Sequence, residues 1–242
     1  MKKFLKSKWF IIGTLCIIAG TICSTLLIDN RLNNNKVAVA TNIDRSTVST
    51  NDTNKKQIYG TYEIETSWVK DPKEPKNLLQ VTKDNSIIKV KVKSIGDAVF
   101  LEKTTDFYDP NPFTPVEVIV EETLNGQDLN NIKTIYLKGG DVKVSDLMKT
   151  LDQGTIEKMG FDTLTKEQQE TMYISYKSEY DYNLKPDEEY VLIVAKNSNN
   201  IYTVVANGYG IFKEDKESKK LKNTLTNKEL TDKNGTVLKL KK

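Results

Sequence analysis

The sequence predicts a mainly β domain, a small barrel with a helical insertion, preceded by one N-terminal transmembrane helix. Three observations predict it. Apolar and charged residues alternate through 86–95 and 116–121, helix formers replace that alternation between 144 and 174, and residues 9–28 carry no charge. Period-two alternation marks strands with one buried and one wet face. An uncharged run of about 20 residues, at ~1.5 Å per residue, matches a hydrocarbon core of roughly 30 Å.

Residues 1–8 contain Lys2, Lys3, Lys6 and Lys8 and no acid, so they form a cytoplasmic N-terminus and send the remainder outward. The run WFIIGTLCIIAGTICSTLLI, residues 9–28, is then a signal-anchor helix in the lipid bilayer. It exceeds the ~7–15 residues of a cleaved signal core, although Ala38-Val39-Ala40 offers a small-x-small site further on. Cys16 and Cys23 follow Leu15 and Ile22, larger than the residue that precedes a lipidated cysteine, and read as small apolar side chains inside the span. Residues 29–57 are rich in Asn, Thr, Ser and Asp with no aromatic, a composition that buries too little surface to order itself and suits a flexible polar stalk.

Residues 58–213 form the domain. In SIIKVKVKSI, Ile88, Val90 and Val92 face inward and Lys89, Lys91 and Lys93 outward. TPVEVIVEE places Val116, Val118 and Val120 inward and Glu117 and Glu121 outward, so lysine-faced and glutamate-faced strands suit each other as neighbours. NIKTIYL, residues 131–137, is a third strand that Gly139-Gly140 ends. The insertion 144–174 holds a helix starting near Lys166, because Thr165 and Gln168 have capping-box spacing, and Ser145 stands where an N-cap would before DLMKTL. Residues 189–212 then hold two apolar runs around Asn197-Ser198-Asn199-Asn200, a β-hairpin. The tail 214–242 is charged and expected to be mostly flexible: from Lys213 onward ten lysines face five acids. Its alternative use is contact with an anionic wall polymer or headgroups, and Asn234-Gly235 adds a small hairpin.

The order IIKVKVKSI, loop, VEVIVEETLNG, IKTIYLKGG, helical insert, LKPDEEYVLIVAK and YTVVANGYGIF resembles bacterial surface domains with an OB-like barrel. It is distantly similar to netrin-like modules, whose relatives include tissue metalloproteinase inhibitors. Those inhibitors use an N-terminal cysteine and disulfides, whereas no cysteine lies beyond residue 23 here, so the resemblance implies shape and no inhibitory site.

The chain has no histidine, which removes Ser-His-Asp and Cys-His nucleophiles, histidine-bound zinc and the usual general base near neutral pH. No catalytic residue, cofactor or metal is expected. The loop KTTDFYDPNPFT, residues 103–114, is the most site-like stretch. Asp106, Asp109 and Asn111 offer oxygens, but in no EF-hand spacing and short of the about six to eight that calcium needs. Asp106, Phe107, Tyr108, Asp109 and Phe113, with Tyr209 of Gly208-Tyr209-Gly210, are the expected partner-binding residues, although the aromatics also suit a barrel cap and the glycines a tight bend. Without its cytoplasmic lysines the chain balances 32 basic against 33 acidic residues, which argues against nucleic acid. The expectation is a membrane-anchored extracytoplasmic binding module whose partner is a cell-envelope protein or anionic wall polymer. The alternatives are a wall hydrolase with two carboxylates about 5–9.5 Å apart in a cleft, or a secreted protein released after Ala40.

Overall fold

The computed structural model describes residues 56–81, 84–103, 108–197 and 200–240. The expected cytoplasmic segment, membrane helix 9–28, nearly all of the stalk and the Ala38–Ala40 site lie outside the described residues. Among those described, no helix is long and apolar enough to cross a membrane.

The elements run β1 Gln57–Glu63, α1 Pro75–Val81, β2 Asn85–Ile95, β3 Phe113–Asn125, β4 Thr134–Lys138 and β5 Gly140–Lys143. Then come α2 Val144–Met148, α3 Gln153–Met159, α4 Lys166–Thr171, β6 Met172–Lys177, β7 Glu189–Lys196, β8 Tyr202–Val204, β9 Ile211–Glu214 and β10 Leu221–Asn223. Strands β2, β3, β4, β8 and β7 close into a five-strand barrel, because β8 pairs with β4 on one side and returns to β7 on the other. The β4–β8 contact, Tyr136 to Thr203, is parallel, and every other pairing in the ring is antiparallel.

The alternation read from sequence fills this barrel. Ile88, Val90, Val92, Val116, Val118, Ile135, Leu192, Val194 and Val204 form one buried cluster inside it. Lys89, on the wet side, reaches Glu121 at 2.8 Å and Glu189 at 2.7 Å, joining the lysine-faced strand to its glutamate-bearing neighbours. The expected hairpin forms between β7 and β8, closed by Asn197 N–H donating to Ile201 O at 2.9 Å.

Three expectations need correction. The insertion is helical only to Thr171: residues 172–174, read as helix, start β6, which pairs with β1 in parallel and with β5 antiparallel in a separate three-strand sheet. Helices α2 to α4 cover that sheet over a core of Val142, Val144, Leu147, Phe161 and Ile174. Ser145 is not the N-cap. Lys143 holds that position without a side-chain bond, whereas Thr165 and Gln168 form the expected capping box on α4.

The tail is the third correction. Leu221 and Leu230 have no exposed surface, and with Ile87, Val191, Ile193, Phe212, Tyr209 and Leu78 they build a core on the outer side of β7 and β2. Leu230 N–H donates to Leu221 O and Leu238 N–H to Leu230 O, so the segment lies as ordered layers over the barrel wall. The small Asn234-Gly235 turn is present, with Asp232 N–H donating to Thr236 O at 2.8 Å.

Candidate functional site

Of the loop singled out by sequence, Asp106 and Phe107 lie outside the described residues. Phe113 opens β3, exchanges two backbone hydrogen bonds with Val99, at 2.9 and 2.8 Å, and is buried. Asp109 is bound by its own neighbours. Its Oδ1 accepts from the backbone N–H and side-chain amide of Asn111, at 3.0 and 2.8 Å, and its Oδ2 meets Lys138 Nζ at 2.7 Å. Burial alone would raise this carboxyl, but the Lys138 ammonium and the Asn111 donors outweigh it and hold the group below its usual range. Those oxygens are therefore committed to folding the loop onto β4. Tyr108 is different: it is 67% exposed, with Lys103 Nζ 5.0 Å from its ring centroid.

Tyr209 sits in the outer core, away from exposed surface. The Gly208-Tyr209-Gly210 stretch is a single 3-10 turn that carries the chain out of β8 into β9. A Cβ on Gly208 would lie 2.5 Å from Tyr180 O and one on Gly210 2.2 Å from Val205 O, so only glycine fits. The turn is fixed by Asn223, whose amide nitrogen lies 3.0 Å from Gly208 O, 2.8 Å from Tyr209 O and 3.0 Å from Ile211 O. The tight-bend reading of these glycines therefore holds, and Tyr209 does not join Tyr108 in one surface.

Sequence reasoning passed over a second place. A cleft of about 140 Å³ opens between Ser67–Pro72, helix α1 and Val205–Ala206, walled by Trp68, Leu78 and Val81. Trp68 packs edge-on to Tyr180 and Tyr209, with centroids 5.7 and 6.4 Å away. Val69 beside it is 94% exposed and Val81 46%. The available signal was an apolar Trp-Val pair inside the otherwise polar run ETSWVKDPKEPK, which no periodicity marks.

Two lysines each bridge two carboxylates. Lys89 joins Glu121 to Glu189, and Lys56 lies 2.8 Å from Asp97 and 3.6 Å from Asp141. Among the described residues no group of three or more His, Cys, Asp or Glu is placed to hold a metal ion. Comparison with protein-family models, curated proteins and solved structures finds no match for this chain.

Proposed function

We propose that the chain is a membrane-anchored, extracytoplasmic binding module without catalytic activity, built on an OB-like barrel and directed at a cell-envelope protein. Numbering the barrel strands along the chain gives the ring order first, second, third, fifth, fourth, with third and fifth parallel. That is consistent with a five-stranded Greek-key barrel of the OB kind, whose loops after the first and fourth strands flank the ligand face. Here the first of those loops, residues 96–112, is the one that presents Tyr108.

The observation that carries the reading is the tie between Asp109 and Lys138. It folds the loop onto the third barrel strand and leaves the neighbouring Tyr108 ring outside, as a rigid aromatic with a polar tip suited to a protein surface. Ile119, outward on the second barrel strand and 49% exposed, adds apolar area to that strand's outer face. The anchored location rests on the uncharged run 9–28 and the lysines before it. A carboxylate-pair hydrolase has less support: it needs one protonated acid, whereas at Asp97 burial alone would raise the group but the Lys56 ammonium outweighs it and holds the group below the usual range, and Lys89 is paired with both Glu121 and Glu189.

The test is cross-linking and recovery of the tagged full chain from intact cells, compared with Tyr108→Ala. The expected result is an envelope protein recovered with the native chain and reduced at least about fivefold with the variant, the loss of roughly 1 kcal/mol of contact. Equal recovery from both chains, or recovery of wall polymer alone, would overturn the assignment of this surface.

A further inference from the structure

Three Asn-Gly pairs occur in the chain: Asn125-Gly126, Asn207-Gly208 and Asn234-Gly235. In such a pair the glycine nitrogen, unshielded by a side chain, can attack the asparagine side-chain amide. Sequence ranks the three equally, and their surroundings separate them. Gly208 is buried, its N–H donates to Tyr180 O at 2.9 Å, and the Asn207 amide nitrogen lies 3.0 Å from Asp181 Oδ1 and 3.3 Å from Lys138 O. Asn125 ends β3 in register with Ile87, and a Cβ on Gly126 would lie 2.5 Å from Asn85 O and 2.8 Å from Ser86 Cα. The next residue is pinned too, because Gln127 N–H donates to Ser86 Oγ at 3.0 Å. Closing a ring between asparagine and glycine swings the peptide that joins them, and at these two places that peptide is fixed.

The third pair is open. Asn234 and Gly235 are both exposed, and nothing lies within 4 Å of a Cβ built on Gly235. Among the described residues no partner holds the Asn234 side-chain amide. One bond shields the attacking nitrogen, Gly235 N–H to Asp232 O at 3.0 Å, and it sits in an exposed turn where local opening costs little. We propose that Asn234 is a site of spontaneous deamidation, where this chain forms isoaspartate and loosens the last turn over its outer core.

The Gly235 nitrogen gives its proton to solvent hydroxide and bonds to Asn234 Cγ. The bond from Cγ to the amide nitrogen breaks, and ammonia leaves with a proton from water. A second water opens the cyclic imide, at the main-chain carbonyl to give isoaspartate or at Cγ to give aspartate. Either product sets a new carboxylate beside Asp232, whose Oδ1 accepts from the backbone N–H groups of Asn234 and Thr236, at 2.8 Å each. Isoaspartate also inserts a carbon into the main chain, inside a turn closed by Asp232 N–H to Thr236 O at 2.8 Å. That turn leads into Leu238 and Leu240, which pack against the outer core.

The purified full chain, aged in mildly alkaline buffer and then cleaved after lysine under mildly acidic conditions, tests it by residue-resolved mass spectrometry. The peptide Asn234–Lys239 should exchange amide for acid at least about fivefold faster than the sites at Asn125 and Asn207, and faster as pH rises, since the attacking nitrogen must first lose its proton. In urea, with the surroundings of all three removed, the rates should converge. A native rate at Asn234 no greater than at the other two, or a native ranking that persists in urea, would overturn the site. Asn234→Gln, whose longer side chain closes a ring far more slowly, is the unreactive control. The aged native chain should melt at least about 2 °C below this variant aged beside it. Conversion with equal melting would overturn the loosening and leave the site standing.

Discussion

Asn223 shows how much one buried side chain organises. While its amide nitrogen serves the carbonyls of the Gly-Tyr-Gly turn, its Oδ1 accepts from the backbone N–H groups of Leu225 and Thr226, at 3.1 and 2.9 Å. Asn223→Ala would remove this donor from Tyr209 O and this acceptor from the part-buried N–H groups of Leu225 and Thr226, while Gly208 O keeps Ile211 N–H and Ile211 O keeps Thr224 N–H, so with each lost bond costing on the order of 1 kcal/mol a loss of about 3 kcal/mol is expected. Urea unfolding of the two chains measures it; a loss below about 1 kcal/mol would mean that water or a shifted backbone replaces the bonds. None of this was legible in sequence, where Asn223 is one polar residue in a lysine-rich tail. The same gap separates Tyr108 from Phe113: both read as loop aromatics, yet one projects and the other is buried, because a strand begins at Phe113 and sequence does not fix a strand's first residue.

Among elements, legibility depended on how many faces were buried. Strands β2 and β3 expose one face over most of their length, so Lys and Glu at every second position revealed them. Strand β7 reads as a continuous apolar run because both its faces are covered: Tyr190, Leu192 and Val194 point into the barrel, Val191 and Ile193 into the outer core. Helix α1 was missed, since a seven-residue segment with Pro75 and Leu78 as its buried residues gives no period. The α4 capping box was found because it is written in two residues three apart. Two outward-facing isoleucines test the covering of β7. Ile193→Thr should cost about 2–3 kcal/mol, as a buried site does, and Ile119→Thr on the exposed side of β3 less than about 0.5. Equal small effects in thermal unfolding would show that β7's outer face is wet.

At the scale of the whole molecule, three cores rather than one hold the described residues together, and the last of them depends on the tail. Composition hid this, because leucines at 221, 225, 230, 238 and 240 are diluted among lysines and the average is that of a solvated segment. Packing depends on single positions, and Leu221 and Leu230 are each fully buried. Removing residues 214–242 would take away both leucines and uncover Ile87, Val191, Ile193 and Phe212 on the outer wall. At roughly 2 kcal/mol per large side chain the change is on the order of 10 kcal/mol, comparable with the whole stability of a domain. The truncated chain should therefore lose its cooperative melting transition and aggregate, while Lys216→Ala with Glu217→Ala, which alters only exposed charge, should leave the melting temperature within about 2 °C. Circular dichroism melts of the three chains decide it. A truncated chain that melts cooperatively near the native temperature would return the tail to the mobile role its lysines suggest and leave the barrel to stand on its inner core alone.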